Sequence, residues 1–216
     1  SVDLSVGSTM GLTAFGVGSL YIAWPGMPAV VAFLVGTAFG GLLGLLNGGL
    51  VAVAKVPGMV ITLGTMYVFR GVNILWAGST RINASQMGPD FLAFGNAQIL
   101  GIPALTILAV VVLLIAAWYL HNIRSGRELY AIGSAPEAAE LYGLPVRQRM
   151  LMSFVMSGAM AGLAGVMFAA RYGTIASNAG TGYELQAIGA AVIGGVAITG
   201  GSGTVIGAAF GAAVPG

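Results

Sequence analysis

The sequence runs to 216 residues, 57% of them apolar and 6% charged, with a mean hydropathy of +0.95. A soluble domain carries about 25% charged residues, so water is excluded as the main solvent and lipid takes its place. The absence of cysteine excludes disulfides and thiolate metal sites, and a net charge of +2 gives no basis for a nucleic-acid partner.

A helix needs about 20 apolar residues to cross the bilayer core. Leu4 to Trp24 supplies the first such run, closed by Pro25-Gly26. Met27 to Ala54 is uncharged and long, predicting a helix that tilts or breaks before Lys55. Val56 to Ala77 crosses next with Arg70 inside it, and Gly78 to Gly101 reads as an external polar loop with a short surface helix. Ile102 to Leu120 and Met150 to Ala170 are further spans, separated by residues 121–149. From Glu184 onward the glycine content predicts short, broken helices. The fold class is therefore all-α, a polytopic multi-helix membrane bundle with broken glycine-rich helices. The stretch opens at SVDLSVG without an initiator Met and stops at VPG, as a piece lacking both ends of a longer membrane protein would. Residues 1–216 form one transmembrane domain in this reading.

Gly36, Gly40, Gly44 and Gly48 recur every four residues and hold one face of the second span. Such a stripe admits another helix at backbone distance, within the subunit, across a dimer or along a pore. Seven charged side chains fall between His121 and Arg149, half of the charge in the chain. Alternation of the spans puts Lys55, Arg124, Arg127, Arg147 and Arg149 on one side, against Arg81 and Arg171 on the other. The positive-inside rule makes the first side cytoplasmic. Within this loop, Pro136 suits a first helical position, Glu137 the positive end of the helix dipole, and Gly143 a stop.

Glu137, Ala138, Ala139 and Gly143 spell EAA-x3-G, which resembles the cytoplasmic signature of permease subunits in ATP-binding-cassette importers. The wider phrase GRELYAIGSAPEAAELYG, residues 126–143, is similar to the version in permeases of the ribose, xylose, arabinose and autoinducer-2 type. That group is the branched family of binding-protein-dependent inner-membrane components. DLSVGS (3–8), LLNGGLVAVAKVPGMVITLGT (45–65), FRG (69–71), SGAMAGLAGVMFAAR (157–171), NAGTGYELQAI (178–188) and GG-x4-GGSG-x3-G (194–207) fall in that family's order. The resemblance spans essentially all 216 residues. It departs from many importers in lacking an I-x-LP tail after EAA-x3-G.

The resemblance implies a bacterial inner-membrane, multi-pass permease subunit that carries a monosaccharide or similar small polyol. It pairs with a second permease subunit, identical or not, and receives solute from a periplasmic or lipid-anchored binding protein. A cytoplasmic ATP-binding-cassette subunit holds ATP and Mg, so this chain is no enzyme and binds no cofactor or metal itself. Its contact with that subunit is the loop 121–149, through Arg127, Glu137, Ala138, Ala139, Gly143 and Leu144. Independently, the chain lacks a GxxxxGK[ST] phosphate loop; its one lysine is Lys55.

Polar groups within a span are costly and thus functional suspects. Asn47, Thr62, Thr65, Arg70, Asn73 and Glu184 are the candidates for a solute pathway. Arg70, Asn73 and Trp76 share a helical stripe suited to a polyol, although Arg70 could snorkel and Trp76 could anchor at the interface. Thr62 and Thr65 could simply bond their own helix. Asp3-Leu-Ser-Val-Gly and Glu184-Leu-Gln-Ala-Ile-Gly share a pattern, consistent with helix caps or with two related halves containing broken helices. A Ser–His hydrolase is disfavoured because the one histidine, His121, sits at a span end. An ion-coupled secondary transporter is the stronger rival, and a purely structural membrane subunit is the other, should the intramembrane polar groups all pair internally.

Overall fold

The computed structural model describes residues 2–54 and 56–214; Lys55, counted above on the cytoplasmic side, lies outside them. Five long apolar helices carry the bundle: α1 (Val6–Ala23), α2 (Ala29–Ala54), α3 (Gly58–Ala77), α5 (Ala104–Asn122) and α8 (Val146–Tyr172). Each matches a span expected from hydropathy, with ends shifted by a few residues. α2 runs unbroken despite its length. α8 begins earlier than expected, so Arg147 and Arg149 extend its first turns beyond the apolar run. Shorter pieces follow the same chain order: α4 (Pro89–Asn96) between α3 and α5, α6 (Arg124–Ser134) and α7 (Pro136–Leu141) between α5 and α8, then α9 (Tyr183–Ile193) and α10 (Val205–Ala213).

The frame is the antiparallel pair α2–α8. Gly40 lies against Gly162 and the Gly158 carbonyl, and Gly44 against Gly158 and the Phe154 carbonyl. A Cβ on Gly40 would sit 2.6 Å from the Gly162 Cα. Gly36 receives Val166, and Gly48 faces Leu151 and Phe154. The stripe on α2 therefore meets a second one on α8, which the sequence reading overlooked. Apolar side chains gain nothing from association in lipid, so close backbone approach supplies the attraction instead.

α1 fills the centre, with 67% of its residues buried, whereas an 18-residue stretch of α5 is 6% buried. The core around Val17, Tyr21, Val166 and Ile175 closes at one end beneath α4, where the Tyr21 and Phe91 rings lie 4.9 Å apart. Before α5 the chain makes a two-residue hairpin, β1 (Gln98–Ile99) against β2 (Ile102–Pro103). Its turn residues Leu100 and Gly101 have φ of 54° and 81°, the positive values of a type I′ turn. Leu100 is the one non-glycine with positive φ among the described residues, a conformation costing roughly 1–2 kcal/mol.

After α8 the chain turns at Gly173 (φ 62°) and runs back along α1. Ile175 pairs with Ile82 through two backbone hydrogen bonds of 2.9 and 3.1 Å. Ala179 and Gly180 then press their carbonyls on Gly11 and Gly7. Only at Tyr183, part-way down the bundle, does α9 begin. The helices from Glu184 onward are short and broken as expected, α9 and α10 being separated by residues 194–204, and α9 opens beside the first turn of α1, where Glu184 meets Gly7.

Gly40→Val should force a branched side chain into backbone atoms that cannot move aside, costing about 3 kcal/mol or more. Gly49, with open space where its Cβ would point, should accept Ala without loss. Thermal aggregation of the two purified variants in detergent checks the contrast.

Candidate functional site

Three polar clusters stand out in an otherwise apolar molecule. The first gathers at the start of α1. The Asp3 carboxylate accepts from the Ser5 backbone N–H (2.9 Å) and hydroxyl (2.7 Å) through Oδ1, and from the Ser157 hydroxyl (2.9 Å) through Oδ2. The Asn47 amide donates to Ser5 Oγ at 2.7 Å, and the Leu4 N–H donates to Thr62 Oγ1 at 3.1 Å. The three residues Asp3, Leu4 and Ser5 thus tie the start of α1 to α2, α3 and α8. Ser157 lies roughly 12 Å along α8 from Arg149, at 1.5 Å per residue, which places this knot inside the bundle. An open recess of about 340 Å³ reaches it, lined by Asp3, Val6 and Ser157 and by Ala187, Ile188 and Ala191 of α9.

The second cluster lies at the start of α9. Glu184, buried in the first turn of that helix, takes a hydrogen bond from Arg70 Nη2 at 2.9 Å. Its position also suits the positive end of the helix dipole. Glu184 Oε2 faces Gly7 and has no partner among the described residues. One turn from Arg70, the Asn73 amide donates to the Ser177 carbonyl at 2.9 Å, leaving its own Oδ1 unpaired. α3 therefore grips both the descending strand and the helix that follows it. Arg70, Asn73 and Glu184 come together here, while Asn47 and Thr62 belong to the Asp3 knot. Thr65 bonds the Thr62 carbonyl of its own helix at 3.3 Å. Trp76 stands edge-on to Phe15, ring centres 5.5 Å apart, and is half exposed.

The third cluster is the charged loop. Residues 124–134 form α6, a helix the sequence reading left out. The charge pattern held the clue: Arg124 and Glu128 are spaced i, i+4. Glu128 is buried and accepts from Arg124 Nε at 2.8 Å and Arg149 Nε at 2.6 Å, pinning α6 to the foot of α8. The Arg149 hydrogen bond, with Arg124 second, holds the Glu128 carboxyl below its ordinary value of 4.5, against the upward push of burial. Arg127 donates to the carbonyls of Asn122 (2.8 Å) and His121 (3.3 Å), closing the end of α5. At its far end α6 meets the glycine turn after α9. Tyr130 donates to the Gly203 carbonyl at 3.1 Å, Ser134 donates to the Gly201 carbonyl at 3.4 Å, and Gly133 touches Gly201.

Between α6 and α8 stands α7. Pro136 opens it with Ala135 as the N-cap, and Glu137 lies in its first turn. Gly143 (φ 75°) closes it, its N–H bonded to the Glu140 carbonyl and that of Leu144 to Ala139, a Schellman ending. Ala139 is buried, whereas Leu141 and Tyr142 are 88% and 86% exposed. A six-residue helix is thus fixed at both ends and presents two large apolar side chains among charges.

The family described as "Branched-chain amino acid transport system / permease component" matches residues 1–216. The chain belongs to this family. Its five long apolar helices accordingly make it a multi-pass protein of the inner membrane. The autoinducer 2 import system permease protein LsrC of Salmonella paratyphi B is 40% identical over 212 residues, 98% of this chain and 60% of that protein. Its counterpart in Escherichia coli K12 is 37% identical over 98% of this chain and 61% of that protein. The chain thus spans about three fifths of the length of these relatives. No solved structure matches it.

Two outcomes test the clusters. Arg70→Leu should strand a buried carboxylate and cost about 2 kcal/mol, most of which Arg70→Leu with Glu184→Leu should return. Thermal unfolding of the two variants measures the difference. For Glu128 the lowered carboxyl stabilises the fold above its ordinary value, and that contribution disappears as pH falls through the lowered one. Below about pH 4.5 wild-type stability should therefore drop with pH more steeply than that of Glu128→Gln.

Proposed function

We propose that the chain is the core of a permease subunit in an ATP-binding-cassette importer that carries a monosaccharide or similar small polyol inward. The observation that carries this reading is α7. A rigid helix with bare Leu141 and Tyr142 at the arginine-rich end is a docking handle, and a solvated connector would need neither its caps nor its apolar tip. Within this reading residues 1–216 act as one permease domain and residues 121–149 as its cytoplasmic coupling loop. Arg127 sets the base of the handle, Glu137, Ala138, Ala139 and Gly143 build it, and Leu144 ends it. ATP and Mg bind the cytoplasmic partner that grips it. A second permease subunit completes the pathway, and a periplasmic or lipid-anchored binding protein delivers the cargo.

The names of the relatives support the import role; they specify autoinducer 2, whereas the family description specifies branched-chain amino acids. The polyol assignment draws on the pathway candidates. Glu184 Oε2 and Asn73 Oδ1 are acceptors without donors, and hydroxyl groups are donors that can satisfy acceptors without adding charge. The recess beside Asp3 and Ser157 offers a second polar wall. α6 links handle and pathway, because its far end holds the glycine turn whose α9 reaches back to Glu184.

The test is uptake by the full-length permease reconstituted with its ATPase. Glu137→Lys and Tyr142→Ala should each lower ATP-driven uptake at least about tenfold, 1.4 kcal/mol of coupling, while membrane levels hold. Uptake that follows an ion gradient and ignores the ATPase would replace this reading with a secondary transporter.

A further inference from the structure

We propose that the hairpin at residues 98–103 is a lipid anchor, seating Leu100 in the headgroup layer of the bilayer at the outer end of α5. The hairpin holds three large apolar side chains with nothing over them. Leu100 is 99% exposed, and Ile99 and Ile102 are about half exposed. No charge occurs between Ala97 and Pro103. The conformation sharpens the point. Type I′ turns favour Asn, Asp or Gly where Leu100 stands, since a Cβ is strained at positive φ. A soluble turn gains nothing from an exposed, strained leucine; a turn that dips into lipid does.

Position selects lipid as the occupant. Pro103 is the N-cap of α5, and the Ala104 N–H bonds the Ala97 carbonyl at 2.9 Å, so the hairpin is fixed on the helix end. Most of α5 is bare apolar surface, with Val110, Val111, Leu114 and Ile115 all exposed, and in a membrane that surface is covered by lipid. The tip is three residues from α5, within about 10 Å of it at the rise of a strand. Arg171, which bonds Asn96 at 2.6 Å, marks the polar boundary at this same end. The headgroup region is roughly 5–8 Å deep on each side, so a tip at this distance reaches it. The apolar face of α5 and the hairpin thus form one continuous surface, and the anchor would fix the depth of a helix that few neighbours hold.

The test places one reporter in the full-length permease in nanodiscs. The 216 residues contain no cysteine, so Leu100→Cys can carry an environment-sensitive fluorophore, and Asp90→Cys, at an exposed position in the first turn of α4, can serve as the aqueous control. Leu100 touches nothing within the fold, so its replacement leaves packing unchanged. Lipids with a nitroxide high on the acyl chain should quench the Leu100 probe several-fold more than iodide does, with the order reversed at Asp90. Quenching by iodide equal to that at Asp90 would overturn the anchor. So would shielding from both quenchers, which would mean a protein cover, whether a further part of the chain, a second copy or a binding protein.

Discussion

The backbone contact between α2 and α8 is the constraint on which everything else depends. In water a helix pair is held by removing apolar side chains from solvent, but lipid offers those side chains an equally apolar home. What remains is dispersion, which falls steeply with distance. Gly40 and Gly44 against Gly158 and Gly162 bring two helix axes as near as backbone permits. α1 then lies on this pair, with Gly165 of α8 set against the Met10 carbonyl. The same logic recurs where Gly7 and Gly11 receive the returning chain at Ala179 and Gly180.

A close-packed frame also permits helices to start inside the bundle. A helix N-terminus exposes unpaired N–H groups, which hydrocarbon cannot satisfy. Beside the start of α1 the Asp3 carboxylate accepts three hydrogen bonds, and in the first turn of α9 Glu184 pairs with the Arg70 guanidinium, so each helix has a negative charge at its positive end. The two solutions differ. Asp3 is balanced by neutral donors, the Ser5 N–H and the Ser5 and Ser157 hydroxyls. Glu184 is balanced by one opposite charge and leaves an oxygen unpaired. The second arrangement is poorer in partners, and it stands at the head of the shorter helix.

Much of this was legible in sequence because lipid enforces simple rules. The spans followed hydropathy, and the α7 handle followed Pro136 and Gly143, whose backbone preferences need no tertiary context. The stripe on α2 was visible at its four-residue spacing, yet its partner on α8 was passed over although Gly158 and Gly162 share that spacing. α6 was missed for a different reason. The i, i+4 spacing of Arg124 and Glu128 pointed to a helix, but its burial of Glu128 depends on Arg149, 21 residues away in sequence. Likewise Asp3 looked like a cap, and only the fold reveals that Ser157 bonds it while Asn47 bonds its neighbour Ser5. Pairings across distant segments are where one-dimensional patterns lose their force.

The loop between α5 and α8 has two attachments of opposite character. Glu128 joins it to α8 through two charge-assisted hydrogen bonds, and α8 is locked to α2 by backbone contact along its length. Displacement entering by that route meets the stiffest part of the molecule. The other attachment rests on Tyr130 and Ser134 against the carbonyls of Gly203 and Gly201, in a turn where Gly200, Gly201 and Gly203 all have positive φ. Beyond it lies α9, short, lightly packed on α1, and ending at the under-satisfied Glu184. Under the proposed function, a pull on α7 would therefore be resisted through Glu128 and yield through the glycine turn. The element able to move is the one whose far end carries the intramembrane ion pair.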